Sequence, residues 1–244
     1  MSPHGTPDWW GTGPKSTTYA LQDLAELAVR LGSVINHDRR GDVVWMDDWK
    51  DGLGRLLTET DGVGGDVYLQ ATGGKYRGSV LIMNTGNLIA DWATITVQSY
   101  FPVPGGIGTE VAFAIPLVLA DAGIIIYLFQ GVTVQIFTAR YNHVLGTIEI
   151  GNDALDWVVV GTPGIQHIHN MAFCDLKLVV DTAALRYRRV LFNRFTYDAS
   201  KYTPAVSASV VPPMLSVQVR VSTSANASAA VPVAHMIITQ NEPL

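Results

Sequence analysis

The chain has 244 residues, enough for one large β-sandwich or two small domains. Apolar residues make up 48% and charged residues only 15%, against about 25% in a typical soluble domain, which excludes a solvated charged tail and argues against intrinsic disorder. A net charge of −5 leaves too little basic surface for bulk nucleic-acid binding, and the single cysteine, Cys174, has no partner for an intrachain disulfide. Such low charge predicts a surface partly covered by neighbouring subunits.

Residues 1–15 hold Pro3, Pro7 and Pro14, with Trp9 and Trp10 side by side. They predict an extended arm whose indoles pack on this domain or on a neighbour. No positively charged stretch leads into an apolar run there, so no signal peptide is expected. Ser16 or Thr17 caps a predicted helix that ends at Gly32. Leu21, Leu24, Ala25, Ala28 and Leu31 form its apolar stripe. Trp9, Trp10, Leu21, Leu24 and Ala28 are therefore candidate interface residues. Arm and helix make a first segment, 1–32, and residues 33–244 make the second.

Beyond Gly41 the apolar period falls to two. Strands are expected at 42–47, 67–71, 78–83, 93–103, 109–119, 124–129, 132–141, 146–150, 156–160, 175–181, 187–193, 215–222 and 233–240. The run 111–129 is nearly all apolar and close to bilayer-spanning length. Pro116 and the sequence Ala120-Asp121-Ala122-Gly123 interrupt it, so it reads as two buried strands with a turn at 120–123. Residues 223–230 read as a loop between the last two strands. With no helical stretch between strands, the pattern predicts an all-β antiparallel jelly-roll sandwich preceded by the arm and one short helix.

Several residue groups invite a chemical reading. Glu59-Thr60-Asp61 is the one Glu-x-Asp spacing, but the glycines at 62, 64 and 65 favour a turn over a catalytic strand. Asp47, Asp48 and Asp51 form an acidic cluster that admits calcium, although a simple Asp-Gly turn at Asp51-Gly52 explains it too. His167 and His169 share one side of an extended segment, while His143 and His235 stand elsewhere; all four read as surface or loop histidines. Cys174 reads as a small core residue. Arg186, Arg188, Arg189 and Arg194 read as a solvated face or an ion-pair site between subunits. Trp92, Tyr100 and Phe101 are candidate aromatics for a sugar ring or an interface.

From Phe173 the chain reads Phe173-Cys174-Asp175-Leu176-Lys177-Leu178-Val179-Val180-Asp181, then a short turn, then Tyr187 to Asn193 and Tyr197-Asp198-Ala199-Ser200. With the final strand up to Glu242 and Trp45-Met46-Asp47-Asp48-Trp49 as a first strand, this resembles the concanavalin A-like, laminin-G-like jelly rolls. The resemblance implies a two-sheet sandwich of a kind that serves in glycan-binding modules, glycoside hydrolases and viral tail and capsid proteins. Phe173 and Cys174 stand where that family has a Trp-His pair. Ala234 and His235 stand where many related modules have calcium-binding aspartates.

These readings predict a non-enzymatic structural protein without a cofactor that self-assembles as a capsid, decoration or tail component of a bacterial virus. The expected partners are copies of itself or other virion proteins, in the virion or in the cytoplasm before assembly, with neither nucleic acid nor membrane involved. The alternative is a lectin-like glycan-binding module.

Overall fold

The computed structural model describes residues 40–50, 52–53, 56–75, 79–100, 104–164 and 173–243. The expected arm and helix, with Trp9, Trp10, Leu21, Leu24 and Ala28, lie outside these residues, as do Asp51, Phe101, His167 and His169.

Sixteen strands follow one another among the described residues: β1 (Asp42–Asp47), β2 (Leu57–Thr60), β3 (Asp66–Gln70), β4 (Val80–Asn84), β5 (Trp92–Tyr100), β6 (Gly106–Ala114), β7 (Leu119–Phe129) and β8 (Thr133–Asn142) come first. Then come β9 (Thr147–Gly151), β10 (Trp157–Gly161), β11 (Phe173–Asp181), β12 (Arg186–Phe192), β13 (Phe195–Asp198), β14 (Ala205–Ala208), β15 (Met214–Thr223) and β16 (Ala230–Gln240). They form two antiparallel sheets. The first runs β13-β12-β11-β6-β16-β4-β3 with β1 also on β16. The second runs β10-β9-β8-β7-β15-β5-β2 with β14 also on β8.

Alternation decides which side chains meet between the sheets. In β5, Ala93, Ile95 and Val97 point inward, and in β15 Leu215, Val217, Val219 and Val221 do the same. The first sheet answers with Val111 and Phe113 of β6, Leu176 and Leu178 of β11, and Met236 and Ile238 of β16. Each such Leu, Val or Ile contributes roughly 1.5–3 kcal/mol when fully buried. Rings fill the wider gaps: Tyr141 stacks on Phe192 at 4.8 Å, and Phe137 meets Tyr187 edge-on at 5.3 Å. Cys174 lies in this core, where burial pushes its thiol pKa up and keeps it unreactive.

Two polar side chains make buried hydrogen bonds among these residues. Trp49 donates its indole N–H to the Val233 carbonyl at 2.7 Å. The Tyr187 hydroxyl of the first sheet donates to the Gly151 carbonyl at 2.7 Å and accepts the Thr138 N–H at 2.8 Å, both in the second.

The run 111–129 does hold two strands, but the turn is not at 120–123. It lies between Ala114 and Leu119, where the Leu119 N–H bonds the Pro116 carbonyl and the chain crosses between sheets. Asp121 and Gly123 sit inside β7, on its outward side. Four-residue edge strands β2, β13 and β14 were not expected.

Candidate functional site

The outer face of the second sheet carries the residues that alternate with the core. Register lays one row straight across it: Glu59, Thr94, Arg220, Gly123, Arg140 and Glu149. A parallel row holds Trp92, Ser222, Asp121, Asn142 and Thr147. Between them opens a cleft of about 300 Å³, lined among others by Asp121, Gly123, Arg140, Trp157, Arg220 and Ser222. Its floor is bare at Gly123. A Cβ there would stand 2.7 Å from the Ala139 carbonyl oxygen and 2.9 Å from the Arg140 Cβ.

Arg140 is the hub. Its guanidinium pairs with Glu149 at 2.7 Å and with Asp121 at 3.3 Å. Glu149 in turn accepts from the Thr147 hydroxyl at 2.7 Å and the Asn142 amide at 3.2 Å. The Arg140 guanidinium carbon lies 3.8 Å from the centre of the Trp157 ring, a close cation–π contact. Trp157 is still 44% exposed, at the edge strand β10. Across the cleft Arg220 lies 5.1 Å from the centre of the Trp92 ring. Burial raises the pKa of the nearby Tyr127 hydroxyl; Arg220 opposes that rise and Glu59 adds to it. The arrangement offers two aromatic platforms, charged hydrogen-bond donors already fixed in place, and a floor a ligand can approach closely.

Of the aromatics singled out in the sequence, Trp92 lies on this face as the support of Arg220. Tyr100 ends β5. Trp157, Arg140 and Arg220 were not singled out. The signal for Trp157 was present in the alternation of β10, which turns Trp157 and Val159 outward.

Other candidates resolve differently. Glu59 lies in strand β2 and not in a turn, facing out, while Asp61 falls just past the end of that strand, where Gly62 and Gly64 take positive φ. Asp47 accepts the Trp49 N–H at 2.7 Å, and Asp48 pairs with Lys50, as a turn requires. Arg188 pairs with Asp181 at 2.6 Å and Arg189 with Glu242 at 2.9 Å, so these cations are spent on intrachain ion pairs and not on a solvated patch.

His235 is fully buried beside the buried Glu110 and Asp175, which corrects the surface reading. With Glu110 and Asp175 it forms a group whose ligand atoms lie within 4.8 Å of one another and that could hold a metal ion. The three face away from the core. His235 Nε2 lies 3.4 Å from Glu110, and both Asp175 oxygens accept from the Lys75 ammonium at 2.6 Å. An ammonium already stands where a cation would bind Asp175. Two carboxylates and an imidazole also suit a transition metal better than calcium, which takes six to eight oxygens.

No protein-family model matches the chain, and no curated protein matches it in sequence. Solved structures do. Lectin II from Ulex europaeus superimposes with a TM-score of 0.50 at 11% identity, covering 82% of this chain and 98% of the lectin. Peanut lectin gives 0.50 at 10% identity, over 80% of this chain and 95% of that one. A conserved carbohydrate esterase of the Shiga toxin-encoding bacteriophage phi24B gives 0.51 at 11% identity, over 81% and 98%.

The fold is the concanavalin A-like jelly roll.

At these identities the likeness concerns the backbone alone. The concanavalin A-like jelly roll here places its cleft on the outer face of the second sheet and the Glu110–Asp175–His235 group on the outer face of the first.

Proposed function

We propose that the chain is a non-catalytic glycan-binding module and that the cleft on the outer face of the second sheet is its site. One observation carries this reading. Trp157 has Arg140 seated 3.8 Å from its ring centre and is still 44% exposed, beside a cleft with fixed polar groups. A sugar ring presents apolar C–H groups to an indole and hydroxyls to charged donors. The shared fold supports the reading, since two of the similar structures are named lectins and the third a carbohydrate esterase. Hydrolysis is not proposed, because Asp121 and Glu149 are both engaged by Arg140.

A glycan array followed by calorimetry tests the proposal. Trp157→Ala should weaken binding about tenfold or more while melting near the parent temperature, because the indole is at the surface. Chelating divalent ions should leave affinity unchanged, since ion pairs hold the cleft's polar groups. A blank array sinks the proposal; a strict metal requirement sinks the metal-free version of it.

Self-assembly, as part of a virion or otherwise, is a second reading with its own support. Leu88, Ile89, Leu117, Val144 and Leu145 are each more than half exposed. They lie on turns that meet at one end of the sandwich, where Ser224 bonds Val118, Ala90 bonds Thr223 and His143 bonds Ala120. Native mass measurement of the full chain decides it, and a strictly monomeric species would end it.

A further inference from the structure

We infer that the glycan accepted by the cleft is acidic, with its carboxylate or sulfate group seated on Arg220. This rests on the glycan-binding reading above and narrows it to a ligand class.

The two guanidiniums of the cleft are not equivalent. Arg140 is neutralised twice, by Glu149 at 2.7 Å and Asp121 at 3.3 Å. Among the described residues, no carboxylate lies within ion-pairing distance of Arg220. Glu59 shares its row but lies two strands away, beyond Thr94. Trp92 steadies the Arg220 side chain through its ring face, which orients the cation without cancelling its charge. On the other side the neighbour in register is Gly123, so nothing rises from the floor between Arg220 and Arg140. Strands lie about 4.8 Å apart, which sets the two arginine backbones about 10 Å from each other, room for one sugar unit. The Ser222 side chain lines the same cleft and offers a hydroxyl to the ligand.

An arginine fork matches a carboxylate or sulfate through two parallel hydrogen bonds. A neutral sugar entering the cleft would strip water from Arg220 and return no counter-charge, which disfavours it. An acidic sugar supplies that charge, and Trp157 receives the adjoining ring.

The test is an array of matched pairs: sialylated and desialylated oligosaccharides, oligogalacturonates and their carboxyl-reduced forms, and sulfated and unsulfated galactans. Calorimetry with the full-length chain follows on the members that bind. Acidic members should bind at least about tenfold more tightly than their neutral partners, with affinity falling as salt rises. Arg220→Gln should remove that preference, and Arg220→Lys should keep part of it. Among the described residues Arg220 makes no ion pair, so both variants should melt like the parent. Whether carboxylate or sulfate is preferred is read from the array. Equal binding of neutral and acidic members, weakened in both by Trp157→Ala, overturns the acidic assignment and leaves glycan binding standing. An acidic preference untouched by Arg220→Gln overturns the role of Arg220. No binding by any member overturns both readings.

Discussion

The Tyr187 hydroxyl bonds one sheet to the other, where most of the interface is apolar packing. Burial pushes its phenol pKa up to about 12 from the ordinary 10. Between those values the unfolded chain releases a proton that the folded chain keeps, so stability falls as pH rises from 10 to 12, by on the order of 2–3 kcal/mol. Tyr187→Phe should lower stability at pH 7 by about 1–3 kcal/mol, because the Thr138 N–H and the Gly151 carbonyl lose their shared partner. It should also flatten the alkaline loss relative to the parent. Urea denaturation of both proteins at pH 7 and pH 11 checks this, and an identical alkaline slope in the two would remove Tyr187 as its source. His235 shows the same dependence on context at a single residue. Its local sequence, Val233-Ala234-His235-Met236, says nothing of Glu110, 125 positions earlier, which the register brings beside it.

At the level of elements, the last strand is held at its end by a buried carboxylate. Glu242 accepts from the Lys177 ammonium at 2.6 Å and the Thr239 hydroxyl at 2.5 Å through one oxygen, and from Arg189 at 2.9 Å through the other. Lys177 and Glu242 are fully buried. Glu242→Gln takes away the anion that both cations share and should cost about 3 kcal/mol or more. Chemical denaturation measures this, and a loss under about 0.5 kcal/mol would mean other groups replace the carboxylate. Strands of this length were legible in the sequence because alternation persisted: Ile95 and Val97 against Thr94 and Thr96 leave no other period. The edge strands were not. Leu57–Thr60 is exposed at every position, so its place comes from pairing with β5 and not from any pattern of its own. The turn at Ala120–Gly123 was misplaced for a related reason. Asp and Gly are turn residues by local preference, but in β7 they serve partners on other strands: Asp121 meets Arg140, and Gly123 clears the cleft floor. The cleft itself was illegible because Arg140, Trp157 and Arg220 are scattered over 80 positions and converge only when the sheet is assembled.

For the whole molecule, low charge and the apolar turn tips at one end give the assembly reading a defined test. If those tips form an interface, Leu117→Ser combined with Leu145→Ser should shift the native mass toward the monomer while the melting temperature stays close to the parent, since both side chains are at least 65% exposed. An unchanged mass distribution would take this end of the sandwich out of any interface. The cleft has a different consequence. It stands on the middle of regular strands, and every second residue of those strands belongs to the core while the others face the ligand. Recognition and folding are thereby written on separate letters of the same words. Outward positions 157 and 220 can be randomised together in a selection experiment to redirect the module to new sugars, while Arg140 is kept because it pairs the buried Glu149.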